Sequence, residues 1–353
     1  MHPAVTFAQL TTFGLGGLAP RFAVASTVDE IRDGIAEPGA LVIGGGSNLI
    51  VADAGIPGPV IKIAVEGIDR RVGAGADGSD LITLGAGLDW DAVVAELTAD
   101  GYAELAPLSG IPGSMGATPV QNVGAYGVEI AEILDRVTVL ERASGELVTM
   151  TPADLQLGYR SSVLRGTDRA VVIDVTFRLT RTATTVRYAE LARTLGVHAG
   201  ECAPPAAVRD AVLALRRSKG MVLDPADPDT RSAGSFFTNP IVDEPALQAL
   251  RARVEEATGS TAFPAFPAGS SSTGELTKLS AAWLIEHAGF HKGHPGPGAR
   301  VAVSSKHTLA LTNRGGASTA DLLTLAREIR DGVLQRFGIR LEPEPVMVGV
   351  SLD

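Results

Sequence analysis

The segment PGSMGATPVQNVGAYG, residues 112–127, decides how this chain is interpreted. Its glycines alternate with small and polar residues and one aromatic. Glycine lets the main chain approach a flat or charged group closely and tolerates positive φ, so that successive N–H groups can converge on phosphate or carbonyl oxygens. A surface loop rich in glycine and proline is the alternative interpretation. The order of residues predicts a backbone that lies against a ligand.

A second glycine-rich segment lies upstream. Residues 40–50 read ALVIGGGSNLI, in which an apolar strand runs into three glycines that Ser47 and Asn48 follow. Consecutive N–H groups after such a strand can bind a pyrophosphate, and the two polar side chains add contacts. Two such segments predict a two-sided site for a large nucleotide cofactor.

The composition of the chain limits the kinds of partner that it can bind. The 353 residues suffice for two or three domains. A formal net charge of −10 repels a phosphate backbone, so we expect neither nucleic acid nor a membrane as a partner. The single cysteine, Cys202, excludes an intrachain disulfide and fits a reducing compartment. Since we find neither a signal-peptide pattern nor a long apolar run, we expect a cytoplasmic protein.

Strands dominate the first half of the chain, and helical patterns take over near residue 188. The predicted strands are 41–43, 60–65, 81–86, 137–140 and 170–179. The predicted helices begin near 28, 90, 206, 245, 278 and 319 and end near 37, 100, 219, 258, 287 and 337. The last is the clearest, because Ser318 and Asp321 can cap its start and Gly338 its end.

Two further patterns are set aside. The segment GAGADG, residues 73–78, fits a dinucleotide fingerprint but leads into a strand instead of a helix, so it predicts a hairpin turn. Three histidines occur between residues 287 and 294, but glycines interrupt the helix that would align them. We therefore expect no metal site.

Three other segments place polar side chains in apolar surroundings. They contain Tyr159 and Arg160 in GYRSS, Ser235 in AGSFFTNP, and Glu342 and Glu344 in LEPEP. Taken singly, each fits an ordinary surface arginine, a turn serine or solvated carboxylates. Spacing and periodicity do not join them.

Taken together, the motifs resemble the UDP-N-acetylenolpyruvoylglucosamine reductase family, the flavoenzymes that make UDP-N-acetylmuramate. The motifs are GGGSNL (44–49), GIPGSMGATPVQNVGAYG (110–127), GYRSS (158–162), RYAEL (187–191), GSFFTNP (234–240) and LEPEP (341–345). The resemblance spans nearly the whole chain. RYAEL is similar to the first of the family's two types, in which a tyrosine-bearing loop, here with Tyr188, closes over the substrate.

The resemblance implies an α+β fold. A two-part FAD-binding module of the vanillyl-alcohol-oxidase (PCMH) type is expected before a C-terminal α+β substrate-binding domain. The implied boundaries are 1–182 for the FAD module, with subdomains of about 1–66 and 67–182, then 183–343 for the substrate domain, with a linker of about 183–212, and 344–353 for a tail that returns to the FAD module.

The resemblance also implies the reaction. NADPH reduces non-covalently bound FAD, which then reduces UDP-N-acetylglucosamine enolpyruvate in peptidoglycan synthesis. Arg160 matches the catalytic arginine that stabilises developing charge, Ser235 the proton donor, and Glu344 the glutamate that works with the arginine. Because the position of Pro345 often carries an aliphatic residue in the family, a shift of the Glu344 backbone is a possibility that the sequence leaves open, as is competition from Glu342.

The binding residues are carried over in the same way. The FAD contacts implied are Gly44, Gly45, Gly46, Ser47, Asn48, Leu49, Pro112, Gly113, Ser114, Gly116, Ala117, Gln121, Asn122, Gly124, Ala125 and Tyr126. The substrate or NADPH contacts implied are Tyr126, Tyr159, Tyr188, Arg216, Lys219, Asn239 and His307. We expect a monomer.

Two alternatives remain. One is another oxidoreductase on the same flavin module; many of these tether FAD through His or Cys, and neither occurs between His2 and His198. The other is a flavin or nucleotide-sugar sensor without turnover. Substitution of Ser235 by alanine would leave such a sensor unchanged.

Overall fold

The computed structural model describes residues 5–271 and 274–353. The helices are α1 (Phe7–Leu10), α2 (Val28–Ile35), α3 (Trp90–Ala99), α4 (Pro152–Leu155), α5 (Ala189–Leu195), α6 (Pro205–Ser218), α7 (Glu244–Thr258), α8 (Ala281–His287) and α9 (Thr319–Phe337). The strands are β1 (Arg21–Ala25), β2 (Leu41–Ile43), β3 (Leu49–Val51), β4 (Pro59–Ile63), β5 (Ile68–Arg71), β6 (Asp80–Gly85), β7 (Gly124–Ala125), β8 (Val128–Glu129), β9 (Leu134–Glu141), β10 (Leu147–Met150), β11 (Ala170–Leu179), β12 (Thr184–Thr185), β13 (Cys202–Ala203), β14 (Ile241–Asp243), β15 (Ala265–Ser271), β16 (Gly274–Leu279), β17 (Val301–Val303), β18 (Leu311–Asn313) and β19 (Val346–Val348).

The described chain forms two compact units. The first unit contains Val5, Leu18–Gly46 and Ile56–Val222. The second unit contains Thr6–Gly17, Ser47–Gly55 and the described residues from Leu223 onward.

The first unit contains a parallel sheet in the order β1-β4-β2 and a larger antiparallel sheet in the order β10-β9-β11-β6-β5. Helix α2 begins at a capping box of Thr27 and Glu30 and buries Ile31. Its Gly34 lies against β4, because a Cβ there would come within 2.9 Å of the Ile61 Cδ1 atom. Glycine therefore permits this close helix–sheet contact.

Helix α3 starts the segment that leads to residues 112–127. The Asp89 side chain caps it by accepting the Ala92 N–H at 2.9 Å. Trp90 is fully buried, donates its Nε1–H to the Leu108 carbonyl at 3.0 Å, and packs edge-on against Phe177. These contacts fix the start of the glycine-rich segment on the core.

The second unit is built around α9. Ser318 and Asp321 form the predicted capping box, and Gly338 ends the helix in the left-handed region. Asp53, which follows β3, also accepts the N–H groups of Thr319 and Ala320, at 2.7 and 3.0 Å. The sheets of this unit are β14-β16-β15, β17-β18 and the parallel pair β19-β3.

Most predicted elements are confirmed, with ends within one or two residues. The segment 73–78 joins β5 to β6 as the predicted hairpin turn. The predicted start of a helix at Lys278 is wrong, because Lys278 pairs with Ile241 and Phe266 in β16. Helix α8 begins only after Ser280, whose hydroxyl accepts the Trp283 N–H.

Residues 183–222 pack within the first unit. Val186, Leu191, Val208 and Val212 form a buried cluster with Ala106. The boundary that we expect at residues 182–183 concerns ligand binding and stays a proposal. No helix in the described part of the chain has both the length and the apolar character that crossing a membrane requires.

Candidate active site

Gly44 and Gly45 lie against the 112–127 segment within the first unit. A Cβ on Gly45 would come within 2.7 Å of the Gly113 Cα atom, and a Cβ on Gly44 within 2.2 Å of the Ser114 Oγ atom. A side chain at position 45 would therefore force the segments apart, whereas one at position 44 would displace the Ser114 hydroxyl. Packing between the segments is a further reason for their glycines, and the two-sided cofactor site stays a prediction.

This arrangement fits a pyrophosphate. Within the described residues, the N–H groups of Gly45 and Gly46 donate to no protein acceptor. Gly46 and Gly113 have positive φ, at 66° and 130°. Two consecutive donors on a left-handed turn form the kind of concave anion site that nucleotide phosphates occupy.

Backbone strain concentrates in the predicted site. Among described residues other than glycine, positive φ occurs at Asn122, Tyr126, Gln156 and Arg160. Three of these were predicted from sequence as cofactor, substrate or catalytic residues. Such conformations cost on the order of 1–3 kcal/mol each and persist where surrounding contacts enforce them.

Asn122 provides those contacts. Its buried amide donates from Nδ2 to Glu129 Oε2 at 2.8 Å and to the Gly158 carbonyl at 3.1 Å, and its Oδ1 accepts the Ala131 N–H. The side chain thus joins the 112–127 segment to the GYRSS segment. Its backbone carbonyl accepts a hydrogen bond from Arg160 Nη1 at 3.5 Å, so both its side chain and its backbone connect the two segments.

Arg160 lies beside this segment. Its Nη2 donates to the Gly124 carbonyl at 3.0 Å, and its guanidinium carbon lies 5.5 Å from the centre of the Tyr159 ring. The guanidinium is therefore held along the backbone that is predicted to contact the cofactor.

A second group of predicted residues clusters around Tyr126. The Tyr126 and Tyr188 rings meet edge-on, with centroids 5.5 Å apart. Burial raises the pKa of Tyr126 to about 12, with Arg216 opposing and Glu190 adding to the shift. The Tyr126 hydroxyl therefore stays protonated, and able to donate, at neutral pH.

Arg216 is the most buried cation of this cluster. Its Nη2 donates to the Met221 carbonyl at 2.8 Å, whereas its buried Nε has no hydrogen-bond partner among the described residues. Burial lowers its pKa, and the charges of Tyr126 and Asp91 oppose the shift. A buried donor without a partner is costly, so this atom suits an anionic ligand.

The second unit brings Ser235 and Glu344 into neighbouring segments. Phe236, next to Ser235, accepts the Glu344 N–H at 2.9 Å, and Phe237 forms a bridge with Pro343. Both phenylalanine rings are fully buried and pack edge-on. Buried aromatic side chains thus surround the backbone that carries both predicted catalytic groups.

Residues 47–49 approach the same segment. β3 pairs with β19 in register, the Asn48 carbonyl accepts the Val346 N–H at 2.9 Å, and Asn48 Nδ2 donates to the Glu344 carbonyl at 3.4 Å. Asn48 was predicted only as a cofactor contact. The structure adds a contact to the backbone of Glu344.

Glu342, the competing carboxylate, is exposed and forms an ion pair with Arg340 at 3.3 Å. Of the other predicted contacts, Asn239 uses its Oδ1 to accept the Ala281 N–H at the start of α8. The backbone N–H of His307 donates to Ser304 Oγ at 3.2 Å.

Sequence reasoning missed two acidic residues that interact with Arg216 and Lys219. Asp91 accepts the Gly110 N–H at 2.6 Å and holds Arg209 through two contacts, at 2.6 and 3.0 Å. Glu190 forms an ion pair with Lys219 at 2.6 Å. Glu190 lies inside the RYAEL motif, so the motif itself could have indicated it. Among the described residues, no group of three or more His, Cys, Asp or Glu could hold a metal ion.

Comparison with known proteins places this chain in a family. The family model for the C-terminal domain of UDP-N-acetylenolpyruvoylglucosamine reductase matches residues 225–348, and an FAD binding domain model matches residues 24–151. A UDP-N-acetylenolpyruvoylglucosamine reductase of Saccharopolyspora erythraea is 55% identical over 98% of this chain and 95% of its own. That of Nocardia farcinica is 52% identical over 100% of this chain and 91% of its own.

The structure of a UDP-N-acetylenolpyruvylglucosamine reductase from Thermus caldophilus matches with a TM-score of 0.67 and 24% identity, over 98% of each chain. This similarity concerns the fold. Together with the domain matches it confirms the predicted α+β fold class with a PCMH-type FAD module. The identity to full-length relatives shows that this chain belongs to the UDP-N-acetylenolpyruvoylglucosamine reductase family.

Proposed function

We propose that Arg160, Ser235 and Glu344 carry the chemistry of this family in this chain. The chain is an FAD-dependent oxidoreductase of peptidoglycan precursor synthesis, which reduces UDP-N-acetylglucosamine enolpyruvate to UDP-N-acetylmuramate with NADPH. The predicted cofactors FAD and NADPH are confirmed by family membership. The observation that carries the conclusion is the 55% identity over 98% of the chain.

The bound FAD would supply the hydride chemistry, by which two electrons from NADPH would reach the methylene carbon of the enol ether. Negative charge then develops on the neighbouring carbon and its carboxylate. The planar guanidinium of Arg160, held by the Gly124 carbonyl, can bind that carboxylate through two donors. The Arg160 guanidinium stabilises the transition state most strongly, because the negative charge on the carboxylate develops there.

Ser235 is proposed to donate the proton that completes the reduction. A serine hydroxyl is a weak acid in water and needs a basic acceptor in a dry site. The buried rings of Phe236 and Phe237 support such a site. The hydrogen bond from Glu344 N–H to the Phe236 carbonyl fixes the spacing of the two segments. We therefore propose that the Glu344 carboxylate acts close to this hydroxyl.

The cation cluster of the first unit is proposed to bind the diphosphate of the nucleotide sugar. Arg216 offers a buried donor that has no partner among the described residues, Lys219 adds an ammonium group, and the Tyr188 ring packs edge-on against Tyr126. Tyr159, Asn239 and His307 are proposed as further substrate or NADPH contacts.

FAD is proposed to lie against the remaining predicted residues. The pyrophosphate would accept from the N–H groups of Gly45 and Gly46, and residues 112–126 would line the cofactor. The monomeric state and the cytoplasmic location that we expect stay predictions.

An anaerobic half-reaction series tests the function. We expect NADPH to bleach the flavin absorbance of the purified protein, and the enolpyruvyl sugar to restore it without oxygen. Bleaching without recovery would favour the alternative, another FAD-dependent oxidoreductase. Absence of bound flavin would refute both, and Ser235→Ala should slow recovery but leave bleaching intact.

A further inference from the structure

We infer that Glu190 is an internal counter-ion of the diphosphate site, which competes with the substrate for Lys219 and so weakens the binding of the UDP group. The inference rests on the proposed role of Lys219. It concerns how tightly the site holds its ligand, which the family assignment does not determine.

The ion pair of Glu190 and Lys219 belongs to the group of residues around Tyr126 and Tyr188. Lys219 Nζ is 2.6 Å from Glu190 Oε2, and both side chains are about one third exposed. Lys219 is the C-cap of α6, three residues after Arg216, and Glu190 lies in the first turn of α5, two residues after Tyr188. The carboxylate therefore occupies the position beside Lys219 that an incoming phosphate oxygen requires.

Two other cations of the first unit are also paired with carboxylates. Arg209 is held by Asp91, and Arg187, next to Tyr188, contacts Glu132 at 2.5 Å. Among the described residues, Arg216 has no carboxylate at ion-pair distance. We take Lys219 as the second cation that the diphosphate recruits, and this recruitment requires displacement of Glu190.

Such an exchange is feasible because a partly exposed ion pair is weak. The substrate brings more negative charge than one carboxylate, so it can displace Glu190. The displaced carboxylate then lies near the phosphates and repels them, which lowers affinity further. Since the product carries the same UDP group, this weakening would speed its release.

The test is the affinity of the FAD-loaded protein for UDP, measured by calorimetry. Glutamine keeps the size of glutamate and removes its charge. We expect Glu190→Gln to lower the dissociation constant for UDP roughly fivefold. Binding of uridine, which lacks phosphates, should not change. An unchanged or higher dissociation constant for UDP would overturn the inference.

Two variants complete the design. Glu132→Gln is the matched control, because it breaks the other ion pair beside Tyr188 without touching Lys219, and it should leave the UDP affinity within about twofold. In a Lys219→Met background, Glu190→Gln should strengthen UDP binding less than it does in the wild-type background, because only the repulsion between the carboxylate and the phosphates remains to be removed. If Lys219→Met alone leaves UDP affinity unchanged, the proposed role of Lys219 fails. If it weakens UDP binding while Glu190→Gln does not strengthen it, only the counter-ion role fails.

Discussion

Replacement of Gly45 by alanine should weaken FAD binding more than the same change at Gly44. The Cβ at position 45 would lie 2.7 Å from Gly113 Cα and 3.1 Å from Ser114 N, both backbone atoms. Ordinary contact begins at 3.4 Å, so the two segments must separate by about 0.7 Å. At position 44 the nearest atom is the Ser114 hydroxyl oxygen, which can rotate away.

Overpacking of this kind costs about 1–3 kcal/mol, which corresponds to roughly 5- to 150-fold in affinity if the cost falls on the FAD complex. The assay is FAD titration of the apoprotein by flavin fluorescence, with the thermal midpoint measured in parallel. Gly58→Ala controls for the gain of a methyl group, because its nearest neighbour would be 3.5 Å away. Wild-type FAD affinity in Gly45→Ala, or an equal loss in Gly44→Ala, would refute the reasoning.

Three further predictions concern the catalytic and binding groups. Ser235→Ala should lower the rate of flavin reoxidation by the enolpyruvyl sugar about 10²- to 10⁴-fold while flavin reduction by NADPH stays within twofold, as stopped-flow absorbance can check. Burial raises the pKa of Asp91, but Arg209 and the Gly110 N–H outweigh it and the net pKa is lowered. The Asp91–Arg209 pair therefore stabilises the fold fully above the unfolded carboxyl pKa of about 4, and this stabilisation is lost as the pH falls below that value. Asp91→Asn should therefore make the free energy of unfolding, measured by urea titration, less dependent on pH on the acid side. Pro345→Ala should lower kcat severalfold with little change in flavin content, since it frees the backbone of Glu344; equal kcat in the two proteins would contradict this.

Local signals predicted local structure well. The Asp89 cap, the Ser318–Asp321 capping box and the hairpin turn at 73–78 all follow from residues within a few positions of each other. The helix predicted from Lys278 failed because β16 pairs with β14 and β15, and that pairing overrides local helical periodicity.

The sequence did not predict contacts between residues that are far apart in the chain. Lys219 and Glu190 are 29 residues apart, and Asp53 meets the start of α9 from 266 residues away. Periodicity reports only which face of an element is apolar, and it does not choose the partner of a charge. The change to helical patterns near residue 188 likewise did not reveal which unit the following residues belong to. Residues 183–222 pack in the first unit.

In the LEPEP segment, Pro345 looked from the sequence as if it could disturb the backbone of Glu344, but its restricted conformation can also support the site. A residue before proline is restricted to extended conformations, so Pro345 limits the backbone freedom of Glu344 before any ligand binds. Proline also lacks an N–H, and the donors of this segment are the residues on either side: Glu344 donates to Phe236 and Val346 donates to Asn48. Pro345 therefore sits where the chain passes from one hydrogen-bonded neighbour to the next, and it costs no hydrogen bond there. Pro345, which departs from the family's usual pattern, therefore restricts the backbone of the glutamate that we propose as catalytic.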